Sequence, residues 1–227
     1  MSAVGIGLGP APGKSAEDRE EDALALVDAL AARAQTWVAP IRIGVAGSPR
    51  EREGAYRLRY QAAIDRGWRQ PEDLPGGLER DDYDEHAVHI LAWDGEEIVA
   101  GARLVLPKPG LRLPTEEAFG IQVEPRGRVV DCGRYVVARR YTNLQHRLLA
   151  VLLARSWLEM RARGFSSACG AFVSAAMIRV YRRMGLQVRI LARPRSVWAE
   201  ERYPIQFDAP TSVPALTDRW PGEGSSP

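Results

Sequence analysis

Asp81, Asp82, Tyr83 and Asp84 stand together, Arg103 follows, and Asp131-Cys132-Gly133-Arg134 closes the series. Carboxylates and guanidiniums recur in order between apolar, strand-like runs, which is the make-up of a polar wall around one site. The carboxylates suit an ammonium group. The arginines suit a carboxylate, a phosphate or a structural ion pair.

Other reactive residues point nowhere as specific. Cys132 and Cys169 are the only cysteines and lie in separate apolar segments, 129–137 and 166–173. They read as small buried side chains in a reducing compartment. A nucleophilic cysteine needs an activating base, and the histidines offer no obvious partner in sequence. Cys and His are too widely spaced for a zinc site, so no metal is expected. No glycine-rich phosphate loop of the P-loop or dinucleotide type occurs.

The elements that must position this wall follow from periodicity and punctuation. Ser15 begins a capping signal for an amphipathic helix carrying Leu24, Val27, Leu30 and Ala31, which Pro40 closes. That helix either lies on the main domain or forms a homodimer contact. Residues 41–45 alternate as a first strand, and Ser48 caps a helix over 50–66 whose apolar area comes from Tyr56, Leu58, Tyr60 and Ile64. Residues 67–79 are a loop. Strands 87–93 and 97–106 are joined at Asp94-Gly95, a hairpin signal. A strand over 128–137, a long helix over 143–163 ended by Gly164, a strand over 165–173, a helix over 174–184 stopped by Gly185 and a strand over 186–191 follow. The segment 198–207 completes the sheet. The expected organisation is a disordered N-terminus with a helix (1–40), one catalytic domain (41–209) and a flexible tail (210–227). Hairpins before a strand–helix–strand crossover give a mixed, mostly antiparallel α/β sheet with helices on both faces.

The 227 residues suit one domain with extensions. A net charge of +2 gives no general pull toward nucleic acid or a membrane surface. No apolar run approaches the roughly 18–20 residues of a membrane span. The N-terminus has no basic region followed by an apolar stretch, so a cytoplasmic location is expected.

The succession resembles the GCN5-related N-acyltransferase (GNAT) superfamily, and more closely its branch of acyl-homoserine-lactone synthases and N-acyl amino acid synthases. Those enzymes carry an arginine and a tryptophan on and after the first helix of the domain, matched by Arg59 and Trp68. Their Asp-x-aromatic-Asp signature is matched by Asp81-Asp82-Tyr83-Asp84, their Arg-Leu step by Arg103-Leu104, and their acidic-x-Ser-Arg block in outline by Asp131-Cys132-Gly133-Arg134. The resemblance covers residues 41–192. Asp131 stands where lactone synthases usually have Glu, Gly133 replaces their Ser, and Arg-Leu-Val-Leu-Pro is one residue longer than their Arg-Leu-Leu-Pro.

The resemblance implies aminolysis of an acyl thioester in a gap between two splayed parallel strands, here 128–137 and 165–173. Backbone N–H groups at Tyr135, Val136 and Val137 would hold the phosphopantetheine arm and polarise the carbonyl. Asp131, beside an apolar acyl channel, is the candidate base; the alternative is an ion pair with Arg103 or Arg134. Tyr181 matches the tyrosine that protonates the leaving thiolate, or is simply core. Asp81, Asp84, Arg59, Arg103, Arg134 and Trp68 bind substrate or fix the loop across the sheet. Arg139 and Arg140 fall at the pyrophosphate position without its glycine pattern, which favours an acyl-carrier protein over free acyl-CoA. Arg147, Arg179, Arg182 and Arg183 would steer such an acidic carrier.

The expected function is transfer of an acyl, fatty acyl by preference, from carrier protein or acyl-CoA to an amino acid, a similar amine or a peptide side chain. No cofactor is held tightly. The alternatives are a homoserine-lactone synthase using S-adenosylmethionine, and a GNAT-like module that binds an acyl ligand without turnover.

Overall fold

The computed structural model describes residues 15–197 and 200–219. The expected disorder of residues 1–14, and Trp198 of the last expected strand, lie outside them.

Ser15 accepts from the Asp18 N–H while Asp18 accepts from the Ser15 N–H, and this reciprocal cap starts helix α1 (Ala16–Ala34). Strand β1 (Arg42–Val45) follows, then α2 (Pro49–Asp65), begun by the same device between Ser48 and Glu51 with Pro49 in the first turn. The hairpin β2 (Val88–Asp94) and β3 (Glu97–Val105) turns at Gly95, where φ is 61°. After α3 (Pro114–Phe119) come β4 (Val129–Val137), α4 (Gln145–Arg161), β5 (Ser167–Ser174) and α5 (Ala175–Arg183). Strands β6 (Val188–Ile190), β7 (Arg195–Val197) and β8 (Glu200–Asp208) lead into α6 (Ala209–Arg219).

The strands form one sheet in the order β1-β2-β3-β4-β5-β8-β6, with β7 on β8. Every pairing is antiparallel except β4 with β5. Strand alternation separates the two faces. Ile90, Ala92, Leu104, Val130 and Ala168 pack under Leu148, Val151, Leu152 and Met160 of α4. Their neighbours point the other way: Leu91 and Trp93 meet Ala55 of α2, while Val105, Val129 and Cys169 meet Leu113 beside α3. Helix α5 joins the α4 face through Ile178 and Tyr181.

Three expectations change. The chain after Pro210 is not a tail throughout: α6 runs to Arg219 and packs through Leu216 against α1 and Trp157. Gly185 stops α5 at φ 92° as expected, but it also admits α6, because a Cβ there would sit 2.9 Å from the Ala215 carbonyl oxygen. The buried face of α2 is Ala55, Arg59, Ala62 and Ala63 rather than its aromatic and leucine residues, so this helix delivers a charge inward. Helix α1 lies on α4 and α6 of its own chain. No helix among the described residues is long and apolar enough to cross a membrane.

Candidate active site

Parallel pairing of β4 with β5 runs from Val129 opposite Ser167 to Asp131 opposite Cys169 and stops there. Each strand bulges as the two part. On β4, Arg134 and Tyr135 lie opposite the single residue Ala102, and on β5, Ala171 and Phe172 lie opposite Pro204. Arg134 (φ 54°) and Phe172 (φ 57°) are the non-glycine residues with left-handed backbones among the described residues. Gly170 sits where the strands are still close, since a Cβ there would be 2.9 Å from the Cys132 carbonyl oxygen.

The cleft that opens at this point has a volume of about 790 Å³. Its walls bring together Arg59, Trp68, Asp81, Arg103, Asp131, Arg134, Tyr181 and the backbone of Tyr135–Val137, all of them named from sequence. Asp84 stays behind that wall. It is buried, and both carboxylate oxygens accept from Arg59, at 2.7 and 2.6 Å. Arg103 lies 3.0 Å from Asp84 and also pairs with Asp81. Arg134 lies 2.9 Å from Asp81 and 3.0 Å from Glu79, which in turn binds Arg59. Exposure sorts the network: the side chains of Arg59 and Arg103 are each 5% exposed and Asp84 3%, whereas Asp81 and Arg134 are each 31% exposed. The outer pair is the more exposed part of the network.

Burial works to raise the Asp84 carboxyl, but hydrogen bonds and charge from Arg59, then charge from Arg103, hold it well below the usual range. Asp131 behaves oppositely. Burial raises it, and the hydrogen bond from the Thr115 N–H at 2.6 Å and the charge of Arg103 offset this only in part. Among the described residues neither Arg103 nor Arg134 forms an ion pair with Asp131, whose partner is the first turn of α3.

The orientation of Asp131 differs from the expected one. Alternation turns Val130 and Cys132 to the α4 side, and Val129 and Asp131 to the α3 side. The apolar cavity therefore meets Cys132, while Asp131 lines only the polar cleft. The β4 bulge then breaks the alternation, sending Arg134 to Asp81 and Tyr135 onto the Cys132 side. Cys132 Sγ is 3.7 Å from Met160 Sδ, and burial pushes both thiols up, far from a thiolate.

That apolar cavity, about 170 Å³, lies on the α4 side and shares Cys132, Tyr135, Val173 and Tyr181 with the cleft. Tyr135 Oη and Ser156 Oγ are hydrogen bonded at 3.1 Å. Burial, then the nearby Cys132, raises the Tyr181 hydroxyl, so it stays protonated.

Arg139 and Arg140 do not enter the cleft. They begin a 3-10 turn before α4 and line a hollow of about 490 Å³ that adjoins the cleft at Ala62, Arg66, Val137 and Gln145, where Arg140 pairs with Glu97. Arg147, Arg179, Arg182 and Arg183 are exposed on α4 and α5. Arg147 and Arg183 flank a further hollow with Trp37 and His146.

Sequence reasoning missed Glu79, Thr115, Phe172 and Arg202. Arg202 reaches the cleft from β8 and lies over the Trp68 ring at 5.5 Å, and Arg66 lies over the same ring at 5.1 Å. No spacing signal could have found it, because the strand pairing that brings it there is long-range. Glu79 had a signal, standing two residues before Asp81.

Residues 58–152 match the family model described as an acetyltransferase (GNAT) domain. Among solved structures, MesI, a CoA-dependent acyl-homoserine lactone synthase, is 22% identical with a TM-score of 0.61, over 81% of this chain and 97% of its own. BjaI, a CoA-dependent acyl-homoserine lactone synthase with SAM and isopentyl-CoA, is 24% identical with a TM-score of 0.59, over 75% and 82%. FeeM, an N-acyl amino acid synthase from uncultured soil microbes, is 11% identical with a TM-score of 0.59, over 76% and 92%. The matched residues run from α2 into α4, and the fold is the one these synthases share.

Proposed function

We infer that this GNAT-domain protein is an N-acyltransferase that moves an acyl group from a phosphopantetheine thioester to the amine of an amino acid or amino-acid-like acceptor. The observation that carries the reading is the parting of β4 from β5, where a charged cleft meets an apolar cavity at Cys132, Tyr135, Val173 and Tyr181. A thioester bridging that junction puts its acyl group among apolar side chains and its carbonyl at the strand gap.

The acceptor nitrogen attacks the thioester carbon, the C–N bond forms and the C–S bond breaks. Asp131 takes the ammonium proton, directly or through a water, and its raised pKa brings its basicity nearer working pH. Beyond Asp131, β4 has no β5 partner among the described residues, which supports an oxyanion-binding role for its backbone donors near Tyr135–Val137. Tyr181, protonated at the junction, supplies the proton that the departing thiolate needs, and the second proton that the nitrogen sheds as the amide forms replaces it. An amino acid's ammonium and carboxylate match the outer pair, Asp81 and Arg134. Trp68, in contact with Arg66 and Arg202, lines the same cleft. Arg59, Arg103 and Asp84 hold the pair in place.

The donor's phosphate end falls to Arg139, because Glu97 already occupies Arg140. One largely uncommitted arginine suits a single phosphate, as on a carrier-bound arm, better than a pyrophosphate. The exposed arginines of α4 and α5 suit an acidic carrier's surface.

The test is mass spectrometry of reactions pairing acyl-carrier and acyl-CoA donors with a panel of amino acids and amines, S-adenosylmethionine included. A new amide supports the reading, and a lactone in the S-adenosylmethionine arm reassigns the acceptor. Binding of donors with no product from any pair defeats it in favour of a binding module.

A further inference from the structure

The far end of the apolar cavity is not made by the strand–helix core that makes its mouth. Away from the residues shared with the cleft, Val27, Leu30, Ala31 and Ala34 of α1 line it, with Leu216 of α6 and Trp157 of α4. Helix α1 is fastened at this point. Asp28 Oδ1 accepts from Trp157 Nε1 at 2.6 Å and from Arg161 Nε at 3.3 Å, and Trp157 meets Phe207 edge-on with centroids 6.1 Å apart. The Trp157 indole is thereby fixed across the cavity floor, and Ala31, small and buried, faces the same space.

Volume gives the size of the occupant. An engineered apolar cavity of about 150 Å³ holds one benzene molecule, and this one is about 170 Å³. We propose that α1, held to Trp157 by Asp28, is the end wall of the acyl cavity and limits the transferred group to about six carbons, linear, branched or aromatic. This departs from the long fatty acyl expected from sequence, and it rests on the acyl-transfer reading. A longer chain has to displace α1, or pass out where the cavity meets the Arg147–Arg183 hollow at Trp37, Ala150 and Met184 and leave its tail in water.

Two measurements on the full chain test it. In the first, thioester donors from acetyl to dodecanoyl compete for one acceptor, with wild type, Ala31→Phe and the double variant Val27→Ala with Leu30→Ala. Wild type should prefer hexanoyl or a branched or aromatic acyl of similar size, with dodecanoyl at least about tenfold poorer, since one misfitted methylene already costs about tenfold. Ala31→Phe should move the optimum to shorter donors, and the double variant to longer ones. A dodecanoyl optimum, or an optimum that neither change moves, overturns the proposal. In the second, calorimetry compares S-hexyl- and S-dodecyl-pantetheine on the unsubstituted protein, so the result does not depend on a variant folding. Tighter binding of the hexyl compound is expected. Equal or tighter binding of the dodecyl compound, or binding of neither, overturns it. If the hexyl compound binds tighter but no donor gives an amide, the acyl-transfer reading fails while the size limit stands.

Discussion

The two sides of β4 hold recesses built on opposite rules. On the α2 and α3 side, charges satisfy charges: Asp84, Arg59 and Arg103 are buried together and leave Asp81 and Arg134 at the surface of a wide cleft. On the α4 side a small cavity is almost wholly apolar, its polar groups including Tyr135, Ser156, Tyr181 and the thiols of Cys132 and Cys169. The first recess is rigid because removing any one partner strands another buried charge. The second depends on packing alone, so its shape changes with a single methylene. A reaction that joins a polar amine to an apolar acyl group needs both, separated by no more than a strand.

The sharpest way to break this contrast is at Asp131, the charged-side residue without an arginine partner. Asp131→Asn should lower kcat by about a hundred- to ten-thousandfold. Wild-type rate should rise with pH through a carboxyl titrating above the ordinary value of about 3.9, and the variant should lose that limb. Because burial raises this pKa, the native state favours the protonated form. The stability Asp131 contributes is present at low pH and lost as pH rises through its folded pKa. Asp131→Asn should therefore be no less stable than wild type to urea at neutral pH. A variant that is inactive because it is unfolded would make Asp131 structural.

Asp84→Ala tests the other half of the charged side. It leaves Arg59 and Arg103 buried without their shared carboxylate, and should cost about 3–5 kcal/mol in denaturant unfolding. Since the Asp84 pKa is depressed, its contribution is full above the unfolded value near 3.8 and lost as pH falls below it. The gap between wild type and variant should therefore narrow in acid. A gap that stays constant would contradict the assignment.

The smallest effect is expected at the rim. Arg134→Gln should raise the KM for a carboxylate-bearing acceptor about tenfold or more, with kcat and the acceptance of a simple amine nearly unchanged. An equal loss for both acceptors would return Arg134 to a purely structural role.

The charged side was largely legible in the sequence, because its members lie in short motifs on neighbouring elements. Asp81 and Asp84 share one turn, Arg103 and Arg134 lie on paired strands, and Arg59 projects from the helix above them. The apolar side was not. Its floor joins α1, α4 and α6, three segments far apart in the chain, and apolar periodicity says that a helix is buried without saying against what. The helix over 209–219 was missed because the glycine- and proline-rich end invited a loop reading, although Ala209 and Leu216 pack firmly on Trp157. The direction of Asp131 was misjudged for a third reason. Period-two alternation needs an origin, and only the register against α3 and α4 supplies one.

The paired bulges at Arg134 and Phe172 act as a phase slip in two waves that had been running in step. Upstream, consecutive residues alternate between the two faces, Val129 on the α3 side and Val130 and Cys132 on the α4 side. One surplus residue in each strand shifts the count, so that Arg134 turns to Asp81 where unbroken alternation from Cys132 would have sent it to the α4 side, and Tyr135 takes that side instead. The gap between the strands is thus also a junction where two incompatible solvents are brought within one residue of each other.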